Sequence, residues 1–292
     1  MCDEDTVEDN DQYFRKTGTI SRRQFNALTA GTALAMMLPQ VANAMDVVER
    51  NVRVKTADGV ADCLFVHPTV GRHAAVIIWP DILGLRPSFR LMGKRLAESG
   101  YSVLVVNPYY REAAAPVVPE GSSFQDEAIR NKVLPMAMKL SVDTTTTDAN
   151  AFVSFLDQQA SVDTERKIGT TGYCMGGPFT MITAAAIPER VGAGASFHGG
   201  RLVTDNADSP HLMVPKMKAH FLFAIAANDD ERDPNAKVVL RNHYEKAGLP
   251  AEIEVYDGAL HGWCPPDSRV YNEVQAERAW SRLLALFETA LS

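Results

Sequence analysis

The stretch Ile168-Gly169-Thr170-Thr171-Gly172-Tyr173-Cys174-Met175-Gly176-Gly177 leads from a β-like segment into a helix-forming one, Phe179 to Ile187. Glycines stand two residues before and two after Cys174. The result is G-x-C-x-G, the thiol counterpart of the G-x-S-x-G elbow. A nucleophile on such a strand-to-helix turn sits in strained backbone with neighbouring chain close by, which suits flanks that lack a Cβ. The turn exposes the sulfur, and the positive end of the helix that follows favours thiolate. The Met175 N–H then becomes one donor for an oxyanion formed during acyl transfer. A plainer reading exists, since most free cysteines are simply buried. What separates the two is whether a base and an acid follow in the chain.

They do, and in the order nucleophile, acid, histidine that hydrolases of this architecture use. The acidic run Asn228-Asp229-Asp230-Glu231-Arg232-Asp233-Pro234 comes directly after a predicted strand. Asp257-Gly258-Ala259-Leu260-His261-Gly262-Trp263 follows the last predicted strand. Both positions overhang the carboxyl ends of strands, where open α/β sheets carry their sites. His261 is therefore the expected base. His198, in Phe197-His198-Gly199-Gly200 at another strand end, is expected in the pocket lining.

Around this centre the chain alternates β and α. Val52 and Val54 alternate with polar residues, Asp58-Gly59 signals a hairpin, and the alternation resumes at Leu64 and Val66. Ala74 to Trp79 and Tyr101 to Val106 are continuous apolar runs, the mark of strands buried on both faces. Phe89, Met92 and Leu96 lie between them at helical spacing. From Pro108 to about Val142 the pattern dissolves, apart from one helix near Glu127 to Leu140; an irregular insertion of that kind commonly shapes a substrate pocket. Phe152, Phe155 and Leu156 mark the next helix. Strands at Val191–Phe197, Phe221–Ala227 and Ile253–Tyr256, with helices at 236–247 and around Trp280 to Leu291, complete one doubly wound, mostly parallel domain.

The first 44 residues read differently. Ser21-Arg22-Arg23-Gln24-Phe25, a mild apolar run from Ala27 to Leu38 and a closing Ala42-Asn43-Ala44 form a twin-arginine signal peptide. The apolar run is too short to span a membrane. The expectation is export to the periplasm, with Met45–Ser292 as the mature domain and the twin-arginine machinery as a partner. A net charge of −7 gives no sign of a nucleic-acid partner. Removal of Cys2 leaves Cys63, Cys174 and Cys264, so at least one thiol is free or paired between chains. A Cys63–Cys264 bridge is compatible with that count.

With these residues in place the chain resembles the dienelactone hydrolases (carboxymethylenebutenolidases), a branch of the α/β-hydrolase fold. The resemblance covers nearly the whole mature chain. It rests on W-P-D-I-L-G-L from Trp79, N-P-Y-Y-R ending at Arg111, G-Y-C-M-G-G, D-x-x-x-P and A-L-H-G-W. It implies that Cys174 is the nucleophile and His261 the histidine. The family's aspartate-to-proline spacing selects Asp230, four residues before Pro234, as the acid; counting from the strand end favours Asp229, the alternative. The resemblance also implies that Asp81 holds the resting thiol in check, although the family usually has the longer glutamate there. By the same likeness the Ile82 N–H joins Met175 in the oxyanion hole, and Arg111 binds a substrate carboxylate as a guanidinium fork can. A second family arginine soon after the histidine is missing, since Trp263-Cys264-Pro265-Pro266 stands there and Arg269 comes later. That departure argues against the carboxylated dienelactone as natural substrate.

Other chemistries fit less well. No His or Cys pair has zinc-finger or H-E-x-x-H spacing, and no C-x-x-C exists for thiol redox work. Gly192-Ala193-Gly194 fails as a dinucleotide fingerprint because Phe197 occupies the third glycine position. The expectation is a cofactor-free hydrolase of a lactone or small carboxylic ester, with a Cys-His-Asp triad and an acyl-enzyme. The alternatives are a general carboxylesterase of another substrate class and a catalytically silent binding member of the fold. Retention of nucleophile, acid and histidine in order argues against the silent one.

Overall fold

The computed structural model describes residues 38, 39, 41, 42 and 44–292. The arginine pair and nearly all of the apolar run of the expected signal peptide lie outside the described residues. Among the described residues, eight strands form one sheet in the order β1-β2-β4-β3-β5-β6-β7-β8. They are β1 (Val47–Thr56), β2 (Gly59–Pro68), β3 (Ala75–Trp79), β4 (Ser102–Val105), β5 (Ile168–Tyr173), β6 (Val191–Phe197), β7 (His220–Ala226) and β8 (Ala251–Tyr256). β1 and β2 form the antiparallel hairpin signalled by Asp58-Gly59, and β2 meets β4 antiparallel through Leu64↔Val105. Every pairing from β4 through β3 to β8 is parallel.

The apolar runs explain the layering. In β3, Ala75, Ile77 and Trp79 enter a core on one face, while Val76 and Ile78 enter a second core on the other. The first is covered by α2 (Glu127–Ala137), α3 (Val142–Asp157) and α4 (Gly176–Ala186), through residues such as Val133, Phe152 and Ile182. The second is covered by α1 (Pro87–Glu98) and α7 (Glu273–Ala290), through Phe89, Leu96, Leu283 and Phe287. A third cluster joins α6 (Ala236–Ala247) to β7 by packing Leu240 and Tyr244 on Phe221 and Phe223. The chain is thus the expected doubly wound α/β domain.

Two segments differ from the sequence reading. α3 begins ten residues before Phe152, across a run of four threonines whose β-branching weakens the helical signal. Its start is instead fixed by Ser141, which accepts the Thr144 N–H at 3.2 Å while the Thr144 hydroxyl accepts the Ser141 N–H at 2.8 Å. The second difference lies after β7. Ala227, expected to end a strand, opens a short helix, α5 (Ala227–Arg232).

Cys63 and Cys264 are both free thiols. Cys63 faces the first core and Cys264 the second, so the sheet lies between them and the bridge left open by the count does not form.

The strand order reverses direction at β3. The chain moves from β3 to β4 on one side, then returns to β5 on the other. The carboxyl ends of β3 and β5 flank that switch point, where ligands bind in open α/β sheets. Cys174 follows β5 there.

Candidate active site

Cys174 occupies the turn between β5 and α4 with φ +52°, a left-handed conformation costly for any residue with a Cβ. The chain around it is too close for side chains. A Cβ on Gly172 would lie 2.0 Å from the Gly176 carbonyl oxygen, and one on Gly176 would lie 2.3 Å from the Trp79 carbonyl oxygen. The turn is pinned by the Cys174 N–H donating to Phe197 O at 3.0 Å and by the Gly177 N–H returning to Cys174 O at 3.0 Å. The elbow predicted from its glycines is therefore present, and steric contact is the reason for those glycines.

His261 is buried beside it. Its Nδ1 lies 2.7 and 2.9 Å from the two carboxylate oxygens of Asp229, and a further hydrogen bond joins the ring to Cys174. Burial alone would lower the imidazole pKa. The charge of Asp229, then that of Cys174, outweighs it and raises the value to about 10. The backbone N–H of His261 donates to Asn228 Oδ1 at 2.8 Å, so two adjacent residues of α5 hold the histidine at both ends.

Asp230 is not the acid that meets the histidine. On a helix, successive side chains diverge by about 100°. Asp229 turns towards His261, whereas Asp230 turns outward and binds Lys237 Nζ at 2.6 Å. The strand-end count favoured Asp229 and agrees with this geometry; the proline spacing does not, because α5 intervenes.

Arg111 is also elsewhere. Its guanidinium binds Asp58 Oδ2 at 2.6 Å and Asp148 Oδ1 at 2.7 Å, and it stacks over Tyr110. That places it against the β1–β2 turn and α3, clamped by two carboxylates and away from the wall that Cys174 shares. Its fork is engaged by those two carboxylates, and Arg111 is not among the residues lining the cavity on Cys174.

Asp81 does reach the site, but its oxygens are committed. Oδ1 accepts the Leu83 N–H at 2.9 Å, and Arg86 binds Oδ1 and Oδ2 at 2.7 and 3.0 Å. Desolvation pushes the Asp81 carboxyl up from its ordinary value against the pull of Arg86, and Cys174 and Asp267 push the same way. Asp81 thus senses the sulfur electrostatically while its hydrogen bonds go to Arg86 and its own turn. Ile82 follows on that turn, and Met175 stands at the N-cap of α4. Tyr109 connects them: its hydroxyl donates to Ile82 O at 2.8 Å and lies 3.2 Å from the Met175 sulfur.

A cavity of about 100 Å³ opens on the sulfur. Ile82, Leu83, Phe124 and Val270 supply apolar wall, and His198, His261, Asp81, Arg86, Asp267 and Arg269 its polar part. Phe124 belongs to the irregular insertion, which shapes the pocket as expected. His198 is in the wall with φ +41°, its ring 5.1 Å from that of His261 and 5.0 Å from Trp263. Its pKa is held well below the ordinary value, first by burial and then by His261. Among the described residues its ring nitrogens have no hydrogen-bond partner.

Four contributors went unassigned in the sequence: Tyr109, Arg86, Asp267 and Asn228. Tyr109 lies within the quoted N-P-Y-Y-R motif, and Asn228 within the acidic run, so both could have been suspected. Arg86 and Asp267 are 181 residues apart and become partners only in the fold. Arg269, set aside as too distant in sequence, reaches the cavity because the chain from Gly262 to Val270 folds back over it.

Comparison with known proteins bears on the family and the fold. The dienelactone hydrolase family profile matches residues 61–291. A Methylorubrum extorquens protein, provisionally named carboxymethylenebutenolidase, is 26% identical over 278 residues, covering 91% of each chain. The Rhodococcus opacus carboxymethylenebutenolidase is 24% identical over 225 residues, 76% of this chain and 83% of that one. A provisionally named dienelactone hydrolase structure from Klebsiella pneumoniae superposes with a TM-score of 0.72 at 21% identity, over 83% of this chain and 99% of the other. With its elbow, its sheet order and a profile match spanning nearly all of the described chain, this protein belongs to the dienelactone hydrolase family.

Proposed function

We propose that the protein hydrolyses a lactone or small carboxylic ester with Cys174 as nucleophile, His261 as acid and base, and Asp229 as the group that orients the imidazole. Family membership makes the chain a dienelactone hydrolase-like hydrolase of carboxylic esters or lactones. The observation that carries the finer reading is the hydrogen-bonded series Asp229–His261–Cys174 at the floor of the cavity.

The chemistry follows from that series. The Cys174 sulfur, as thiolate beside the imidazolium, attacks the carbonyl carbon and forms a C–S bond. Negative charge moves to the carbonyl oxygen, which the N–H groups of Met175 and Ile82 receive. As the tetrahedral intermediate collapses, the C–O bond breaks and His261 gives its proton to the departing oxygen. Water then attacks the thioester while His261 takes a proton from it, and the thiol leaves with the acid as product. Asp229 holds the ring so that Nε2 faces the sulfur throughout, as the third member of such a triad does. Asp81 is a positioning residue here, since its carboxylate fixes the turn that presents Ile82.

The test is hydrolysis of p-nitrophenyl acetate and of a dienelactone by the protein and by Cys174→Ala. Turnover lost in the variant supports the thiol hydrolase. Turnover that survives the substitution defeats the thiol nucleophile, and no turnover at all defeats the hydrolase reading for these substrates and favours the binding-only alternative. The twin-arginine pair, apolar run and Ala42-Asn43-Ala44 site likewise ground a proposal that residues 1–44 direct export to the periplasm. N-terminal sequencing of the periplasmic protein should begin at Met45, and Arg22→Lys/Arg23→Lys should leave the chain in the cytoplasm.

A further inference from the structure

Carboxylates hold the buried cations of the cavity. Arg86 is buried and spends both edges of its guanidinium on two partners: Asp81 at 2.7 and 3.0 Å, and Asp267 at 2.6 and 2.9 Å. Those two aspartates come from separate segments of the cavity lining. Asp81 starts the turn that carries Ile82, and Asp267 lies in the chain that covers the pocket after His261. Arg86 is therefore a tie between those segments, and its charge is more than cancelled by the pair it joins. Arg269, at the rim, donates to Gln125 Oε1 at 2.8 Å and faces Asp126 at 3.5 Å. The imidazolium of His261 is matched by Asp229 and by the thiolate.

We propose that this cavity selects uncharged substrates with a short acyl chain or a small lactone ring, and discriminates against those carrying a carboxylate. The inference rests on the hydrolase reading above and names its substrate class. A carboxylate entering the pocket meets Asp81, Asp267 and the thiolate at close range in a poorly solvated space, where like charges repel far more strongly than in water. To bind Arg86 it would have to displace a bidentate aspartate, leaving that buried carboxylate without its partner. Burial is the main cause of the raised Asp81 pKa, and the charges of Cys174 and Asp267 push it the same way against the pull of Arg86. The remaining wall, Ile82, Leu83, Phe124 and Val270, offers apolar contact to a neutral chain. The cavity volume of about 100 Å³ suits an acetyl or propionyl group, or a five-membered ring.

The experiment uses a matched pair, 4-acetoxybenzamide and 4-acetoxybenzoate, with each kcat/KM divided by the ester's rate of alkaline hydrolysis to remove the difference in leaving group. The full chain should prefer the neutral amide-bearing ester by about tenfold or more, equivalent to ~1.4 kcal/mol of repulsion. The preference should shrink as salt is raised, and Asp267→Asn should narrow it several-fold by removing one wall charge. A 4-acetoxybenzoate rate equal to or above that of the neutral ester would overturn the inference. If that rate then fell selectively in Arg269→Met, the rim arginine would be the carboxylate receptor. Turnover of neither ester would remove the hydrolase reading together with this one, so the two failures are told apart.

Discussion

Two clusters of charge sit at different places on the sheet, and both looked functional in the sequence. Around Arg111 the polar groups are satisfied from within. The guanidinium takes Asp58 and Asp148, Asp148 also accepts the Tyr110 hydroxyl at 2.7 Å, and that hydroxyl lies 2.7 Å from Thr56 Oγ1. At the Cys174 corner the account is left open. Two non-glycine residues hold positive φ, Cys174 and His198, each an expense of about 1–3 kcal/mol. Ring nitrogens of a buried histidine have no partner among the described residues, and a cavity reaches the sulfur. Burial and ion pairing are thus common to a brace and a site. Backbone strain, unmet polarity and an opening onto a nucleophile are what distinguish the site.

The sharpest way to break that contrast is to remove the sulfur. Cys174→Ala should lower ester hydrolysis by at least ~10³-fold, since truncating a nucleophile removes the covalent route whole. Near-native thermal stability should accompany the loss. A variant that keeps most of its turnover would show that the strained turn is architecture only.

Next in size is the choice between adjacent aspartates. Asp229→Asn should reduce kcat/KM by ~10²-fold or more, because the amide no longer favours the correct tautomer and orientation of His261. Asp230→Asn should stay within about twofold, as its partner Lys237 lies outside the pocket. The same pair separates the two variants by pH. The folded-state pKa of His261 is raised to about 10, so its charged form adds stability that is fully present below the unfolded value of about 6.5. That contribution declines as pH climbs and is gone once pH passes about 10. Thermal unfolding between those limits should lose a slope in Asp229→Asn and keep it in Asp230→Asn. The reverse pattern would reinstate the proline spacing as the guide to the acid.

These two aspartates also show where sequence reading reaches its limit. The elbow was legible because Gly172 and Gly176 answer to a local steric demand, and the strands were legible because residues buried on both faces leave an unbroken apolar run. His261 was found from chain order. Which of Asp229 and Asp230 meets it depends on a short helix whose existence turns one carboxylate in and the next one out. The partners of Arg111 were hidden for a related reason: an arginine in a motif looks the same whether its fork holds a ligand or two distant aspartates. The Arg86–Asp267 tie and the return of Arg269 are products of tertiary folding over some 180 residues, with no local pattern to announce them.

A smaller effect is expected at Tyr109, the residue that links both proposed oxyanion donors. Tyr109→Phe removes the bond to Ile82 O and leaves that carbonyl to find another partner, a change worth ~1 kcal/mol. If the hydroxyl positions the oxyanion hole, kcat should fall several-fold with KM little altered, since the donors act on charge that develops after binding. A change in KM alone would place Tyr109 in substrate contact instead.

The last substitution concerns activity least and completes the comparison. Arg111→Met keeps the length of the side chain and its packing on Tyr110 while deleting the charge. Asp148, whose side chain is only 2% exposed, would lose its strongest partner and keep the Tyr110 hydroxyl. Leaving a buried carboxylate so exposed to a low dielectric destabilises by ~3 kcal/mol, the lower end for breaking a buried pair, because Arg111 itself is partly hydrated. The expected result is a melting temperature several degrees lower, with kcat/KM for a neutral ester unchanged within about twofold below the transition. Because Asp148 already titrates above its ordinary range through desolvation, the loss of Arg111 should raise it further, and the stability deficit should therefore narrow as pH is lowered and the carboxyl takes up its proton. A selective loss of activity on anionic esters, with stability intact, would instead return Arg111 to the substrate and merge the two clusters into one extended site.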